Sequence, residues 1–344
     1  MYDGSVPAEP LPLGYNTYCL RALRWNDAQL LEFAARHRLD AIFLQDSLDP
    51  RAMEPDHWKE VREMARRLEI HLETGGGGIL PKRAEDIPQS IATLRRHIER
   101  AAAMGSPYVR CVLAADRASL PGPVEQAMEW AVKILRSVRA ELSGHGLKAI
   151  IELHKDLQAW ELREVVEAAG RDLTGVYLDT GNPVFVLEHP MTALETLAPY
   201  VESAHLRDSV IYEHPRGVAV QWVPLGEGVI DFRAFVKRLA ELCPRVHVYN
   251  KPITGRPPAV IPYLEQNFWK MFPRARAAEL AAFLDLARRG RPYEGHMVVE
   301  DVPGRPLPEA FRAAIQHQQL DHMERGLEYA KKELGLGRKW RQAA

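Results

Sequence analysis

Three short apolar runs, each closed by a ligand-capable polar side chain, constrain the fold of this chain more than any other feature. They are Ile150-Ile151-Glu152-Leu153-His154, Val176-Tyr177-Leu178-Asp179-Thr180-Gly181-Asn182 and Ser203-Ala204-His205-Leu206-Arg207-Asp208. A helical pattern follows each. Glu152 and Asp179 stand 27 residues apart, and Asp179 and His205 stand 26 apart. One strand–helix unit occupies about that length. Parallel neighbouring strands would therefore present Glu152, Asp179 and His205 side by side at one end of a sheet. Two carboxylates and an imidazole converging there suit a divalent metal ion.

The rest of the chain repeats the same unit. Apolar runs at 14–18, 41–44, 70–73 and 108–113 read as strands one to four, and 246–249 as strand eight. Amphipathic stretches at 27–38, 58–68, 87–104, 124–143, 160–169, 191–198 and 231–242 read as the helices between them. Gly75 to Gly78 read as a flexible rim loop, and 206–230 as a long connection. Eight such units in about 250 residues match a (β/α)8 barrel, the TIM barrel, in an α/β chain. The rival is an open doubly wound sheet. Its glycine-rich phosphate loop after strand one is missing. The organisation expected is an N-terminal arm at 1–13, the barrel at 14–255 and a C-terminal helical extension at 256–344. That extension would wrap the barrel or clasp a partner subunit, making a homo-oligomer.

Composition narrows the function classes. Of 344 residues, 45 are Lys or Arg and 46 Asp or Glu, so no global basic field attracts nucleic acid. The three cysteines are far apart and form no CxxC pair, which argues against a disulfide framework and fits a cytoplasmic compartment. The first residues lack a basic segment followed by an apolar one, so they do not read as a secretory signal. No apolar stretch approaches the length of a membrane span. The expected partner is a small molecule.

Barrel chemistry sits at the C-terminal strand ends, which sorts the remaining candidates. His154, two residues past Glu152, is a candidate acid/base group. Arg207 and Asp208 follow His205, and Glu73 and Arg110 belong to strands three and four; all four are candidate substrate contacts. Tyr15, Trp25 and Trp222 offer apolar faces to a sugar ring. Glu227, in a glycine-flanked turn, reads as structural.

The motifs IELH, YLDTGNP, SAHLRDS and PLGEGVIDF together resemble the xylose isomerase-like barrels, the sugar isomerase/epimerase superfamily that also holds endonuclease IV-type enzymes. The resemblance spans about 14–255. It implies that Glu152, Asp179 and His205 bind a divalent ion, Mn²⁺ first, with Mg²⁺, Co²⁺ or Zn²⁺ as alternatives. It implies an enzyme that removes a proton alpha to a sugar carbonyl, with Glu152 taking part in the proton transfer, through a metal-stabilised enediolate. Isomerisation or epimerisation is the expected outcome. Beta-elimination by a dehydratase or a 3-keto-glycoside or C-glycoside lyase is the alternative.

The chain departs from the pattern in two places. The family's strand-eight glutamate is replaced by Val-His-Val-Tyr-Asn-Lys-Pro, in which Asn250 offers a neutral oxygen to a metal and Lys251 a cation to the reaction. Asn182 stands where endonuclease-type members carry a histidine, which argues against DNA repair. If Lys251 took the metal's position, a catalytically inactive binding subunit would be the third reading.

Overall fold

The computed structural model describes residues 9–302 and 304–343. Residues 1–8 of the expected N-terminal arm lie outside them. Eight parallel strands close into a barrel: β1 (Leu13–Asn16), β2 (Ala41–Gln45), β3 (His71–Gly78), β4 (Tyr108–Val112), β5 (Lys148–Glu152), β6 (Thr174–Asp179), β7 (Val201–Leu206) and, past an inserted hairpin, β10 (His247–Asn250). The hairpin is β8 (Asp208–His214) and β9 (Gly217–Val223). Strand β10 pairs with both β7 and β1, which closes the cylinder.

Each barrel strand is buried on both sides, and the period of two sorts its residues into two cores. Ile42, Leu44, Val109, Cys111, Ala149, Ile151, Val176, Leu178, Ala204, Leu206 and Val248 pack outward against the helices. Ala41, Phe43, Ile150, Tyr177 and Tyr249 pack inside. The same alternation carries Asn16, Glu152, Asp179 and His205 into the barrel, one layer above that aromatic floor. Tyr177 and Phe43 lie 4.1 and 5.7 Å, ring to ring, from His205.

Three local readings are corrected. The glycines of 75–78 are not a loop but the second half of β3. A Cβ on Gly75 would lie 2.1 Å from the Arg110 carbonyl oxygen, and one on Gly76 would lie 2.4 Å from the His97 ring. Glycine is what allows β3 to run that close to its neighbours. The connection at 206–230 contains β8 and β9, joined by Pro215 and Arg216 and extended by β11 (Ala259–Ile261) into a three-stranded sheet. Its apolar face, with Ile211, Val218, Val220 and Ile261, packs on Phe283, Leu286 and Ala287 of a helix at Ala277–Arg289. The helical stretch at 124–143 breaks at Val138 into Val124–Ser137 and Arg139–His145.

The long helix Arg312–Lys332 lies against the barrel. Gln319 accepts the Ala22 N–H, Gln316 donates to the Ala22 carbonyl, and Lys331 donates to the His37 carbonyl. No helix among the described residues is long and apolar enough to cross a membrane. Cys19, Cys111 and Cys243 are buried free thiols.

Candidate active site

Glu152, Asp179 and His205 do converge, fully buried, with one potential ligand atom from each within 4.8 Å of the others. Strand register is the cause. Asp179 pairs with His205, and Glu152 pairs with Tyr177, two residues short of Asp179.

Lys251 stands among them. It follows β10 by one residue, and its side chain enters the barrel by the same alternation that places Tyr249. Its Nζ lies 2.6 Å from Glu152 Oε1, 3.2 Å from Asp179 Oδ2 and 3.2 Å from His205 Nδ1. Arg207 Nη2 donates to Asp179 Oδ2 at 2.9 Å, and Arg110 Nε lies 3.1 Å from Glu152 Oε2. The Gly181 N–H donates to Asp179 Oδ1 and Asn182 Nδ2 to Glu152 Oε1. Every carboxylate oxygen therefore already faces a cation or an N–H group.

In this arrangement the donor set does not fit a divalent ion. A dication on these atoms would meet three positive side chains within about 3 Å of its own ligands, a large repulsion in a buried site.

Charge explains the titration behaviour. Burial alone would raise the Glu152 carboxyl, but Lys251, Arg110 and their neighbours outweigh it and hold it well below the usual carboxylate range. Burial, then Lys251, pushes His205 down, so its imidazole is neutral. Burial and the nearby Arg207 lower Lys251 from the usual ammonium value, while Glu152 and Asp179 act the other way.

Above this layer opens a cavity of about 330 Å³, lined by Asn16, Tyr18, Gln45, Arg110, Glu152, His154, Lys155, Arg207, Trp222, Lys251 and Arg256 among others. Five of its side chains are cationic and one is a carboxylate. A larger groove of about 750 Å³ lies between the outer helices, lined by Met128, Val132 and Val165 and remote from the strand ends.

His154 reaches the cavity and places Nδ1 3.2 Å from the Ala114 carbonyl oxygen. A carbonyl only accepts, so Nδ1 carries the proton and Nε2 keeps its lone pair. Burial holds the ring's pKa down to about 3.

Three candidates lie elsewhere. Asn250 belongs to the outward set: its Nδ2 donates to the Met323 carbonyl on the long C-terminal helix, so it does not face the donor group. Glu73 accepts from Ser203 Oγ and lies near His71, and it does not line the cavity. The register that pairs Glu73 with Phe43 puts it level with the aromatic floor, one layer beneath the cavity. Asp208 accepts the Gly226 and Gly228 N–H groups and ties down the turn at 226–228. Glu227 in that turn is held by Arg325 and Tyr293.

Of the aromatic residues, Trp222 lines the cavity, while Tyr15 and Trp25 pack on Phe33. The Arg207 guanidinium lies 4.2 Å from the Trp222 ring centroid and Lys155 Nζ 5.4 Å from it. Sequence reasoning missed Asn16, whose Nδ2 lies 3.0 Å from His205 Nε2. It also missed Arg256. Asn16 was findable as the inward terminal residue of β1; Arg256 lies in a loop, where no periodicity points to it.

The comparisons with known proteins agree with this architecture. Over 241 residues the chain is 24% identical to the uncharacterized protein YihM of Escherichia coli (strain K12), covering 67% of this chain and 69% of that one. It is 24% identical over 209 residues to the 3-oxo-isoapionate decarboxylase of Pectobacterium atrosepticum, covering 60% and 70%. Among solved structures, a D-psicose 3-epimerase superposes with a TM-score of 0.63 at 14% identity, over 94% of this chain and all of that one. The probable 3-DHS dehydratase AsbF of Bacillus anthracis gives 0.56 at 13%, over 70% and 92%. The IOLI protein, solved with a bound zinc atom, gives 0.58 at 15%, over 80% and 96%. The relatives and neighbours named for an activity are enzymes of one fold with different reactions. The family model described as xylose isomerase-like TIM barrel matches residues 31–243, more than half of the sequence, and the chain belongs to that family.

Proposed function

We propose that this chain is an enzyme acting on a carboxylate-bearing keto-sugar through a single proton-transferring base, with beta-elimination as its outcome. One observation carries the reading: a cavity with five cationic side chains and one carboxylate, into which a neutral histidine opens. Such a lining favours an anionic ligand over a neutral polyol. A substrate carboxylate fits the exposed side of the lining, near Lys155 and Arg256. The keto oxygen fits between Arg110 and Arg207.

His154 Nε2 takes the proton alpha to the carbonyl. The C–H electron pair moves onto the carbonyl oxygen, and the guanidinium groups hold the resulting enediolate. Collapse of the enediolate expels the beta substituent, which takes the proton back from His154. Trp222 supplies an apolar wall of the cavity.

Inversion at carbon needs a second base on the opposite face. Glu152 is the other basic group lining the cavity, but both its oxygens are engaged by Lys251, Asn182 and Arg110, whereas His154 Nε2 keeps a free lone pair. That is why elimination is preferred here to epimerisation. Aldose–ketose isomerisation, which one base can perform, is the second reading. Because Lys251 stands among the donors, the residues of the cavity carry either reaction in this reading without Mn²⁺.

The test is incubation in D₂O with keto-sugar acids and their neutral counterparts, followed by NMR. Expected are loss of a beta substituent from the acids, little turnover of the neutral sugars, and a fall of about 10²–10⁴-fold in rate for His154→Ala. Solvent deuterium without loss of a substituent would move the reading to isomerisation. An acid that binds with neither exchange nor release would point to the inactive binding subunit.

A further inference from the structure

We infer that the ammonium of Lys251 takes the place that the family resemblance assigns to a divalent cation, so that this site is closed to metal and built around a resident organic charge. The inference concerns the site of the proposed reaction but rests on ion-pair geometry, not on turnover.

The position is the first argument. Lys251 Nζ lies within 3.2 Å of one atom from each of the three residues that would form the metal tripod. The second is the slot it comes from. On the last stave of the barrel, the inward residue at the mouth is Lys251, and its neighbour Asn250 faces out onto Met323. The family's acidic ligand at the end of strand eight is thus exchanged for a base.

Charge gives the third argument. Three carboxylates around a dication leave one net negative charge. Two carboxylates around an ammonium leave one as well. Removing an acid and a metal together, and adding a lysine, conserves the electrostatic balance of a buried site, where an imbalance costs most. Exchanging the glutamate alone, with the metal kept, would shift the balance by two units.

The backbone holds the arrangement. The Lys251 N–H donates to the Leu206 carbonyl and the Ile253 N–H donates to the Lys251 carbonyl. The lysine is 4% exposed. If it left the donors, Glu152 and Asp179 would each lose a buried cationic partner and keep only one, Arg110 or Arg207. A monovalent ammonium whose contacts are taken up by protein atoms cannot chelate two oxygens of a sugar. Substrate oxygens must then be gripped by Arg110 and Arg207.

The experiment is metal titration of the full chain, read by Mn²⁺ EPR and by melting temperature, without any activity assay. Wild-type protein stripped with a chelator is expected to bind no stoichiometric Mn²⁺ at this site and to melt at the same temperature with or without it. Lys251→Ala and Lys251→Glu are expected to bind one Mn²⁺ per chain, at least about tenfold more tightly than wild type, and to melt higher when it is added. A variant that folds only with Mn²⁺ supports the inference equally. Wild-type binding of one Mn²⁺ that disappears in Asp179→Asn overturns it, as does a folded Lys251→Glu that stays metal-free. Wild-type binding that survives Asp179→Asn lies at another cluster and leaves this site closed, as inferred. Because metal content is read independently of catalysis, failure here does not mimic failure of the proposed reaction.

Discussion

At the scale of single residues, the site depends on which face of a strand a side chain occupies. Asn250 and Lys251 are adjacent, yet one meets a helix and the other the donor group. Gly181 shows how little room surrounds this arrangement. A Cβ there would lie 2.7–2.9 Å from the Cβ, Cγ and Cδ of Arg207, at the rigid base of that side chain. Gly181→Ala must therefore push Arg207 off Asp179. The expected cost is about 1–3 kcal/mol of stability, with weaker binding of an anionic ligand, measured by chemical denaturation and by calorimetric titration. An unchanged affinity would show that Arg207 does not hold the ligand.

At the scale of elements, the strands were legible and their partners less so. A period of two and the polar strand ends mark β5, β6 and β7 without any structure. The glycine run was misread because glycine in a strand has the same composition as glycine in a loop; only the approach of Arg110 and His97 distinguishes them. The hairpin β8–β9 was missed although Val210, Tyr212, Val218 and Val220 alternate with other residues. Its pairing with β11, some 40 residues on, has no local signature.

The helix Ala159–Ala169 carries a prediction of its own. The Ala159 N–H donates to the carboxylate of Glu188, which is wholly buried. Burial pushes that carboxyl up to about 8, opposed by the Ala159 N–H. A carboxyl whose folded pKa lies above its unfolded value of about 4.3 stabilises the fold fully below that lower value. The contribution is lost as pH rises through the folded value. Asp156 and Asp208, pushed to about 7 by burial, act in the same direction. Stability contributed by these groups should therefore fall between about pH 5 and 8. Glu188→Gln should flatten the decline by about 1–3 kcal/mol. Melting curves across that range check it; identical slopes for variant and wild type would refute the assignment.

At the scale of the whole molecule, one buried carboxylate joins the two ends of the chain. Asp40 Oδ2 accepts the Leu13 N–H at 2.8 Å and the Arg338 N–H at 2.9 Å, and Oδ1 accepts the Lys339 N–H at 2.9 Å. Asp40→Ala removes the two acceptor oxygens and with them all three hydrogen bonds. The expected loss is about 2–4 kcal/mol, together with faster tryptic cleavage near Arg338. Cleavage at the wild-type rate would mean that the tail is held by other contacts.

The amino-acid order by itself determined the barrel and the convergence of Glu152, Asp179 and His205, because both follow from local periodicity and a repeat of one strand–helix unit. What stands among those three groups was decided in three dimensions. Lys251 is 99, 72 and 46 residues from the atoms it pairs with. Alternation along β10 turns it inward, but only the closure of β10 onto β7 and β1 brings it to partners so distant in sequence, and no local pattern records that pairing.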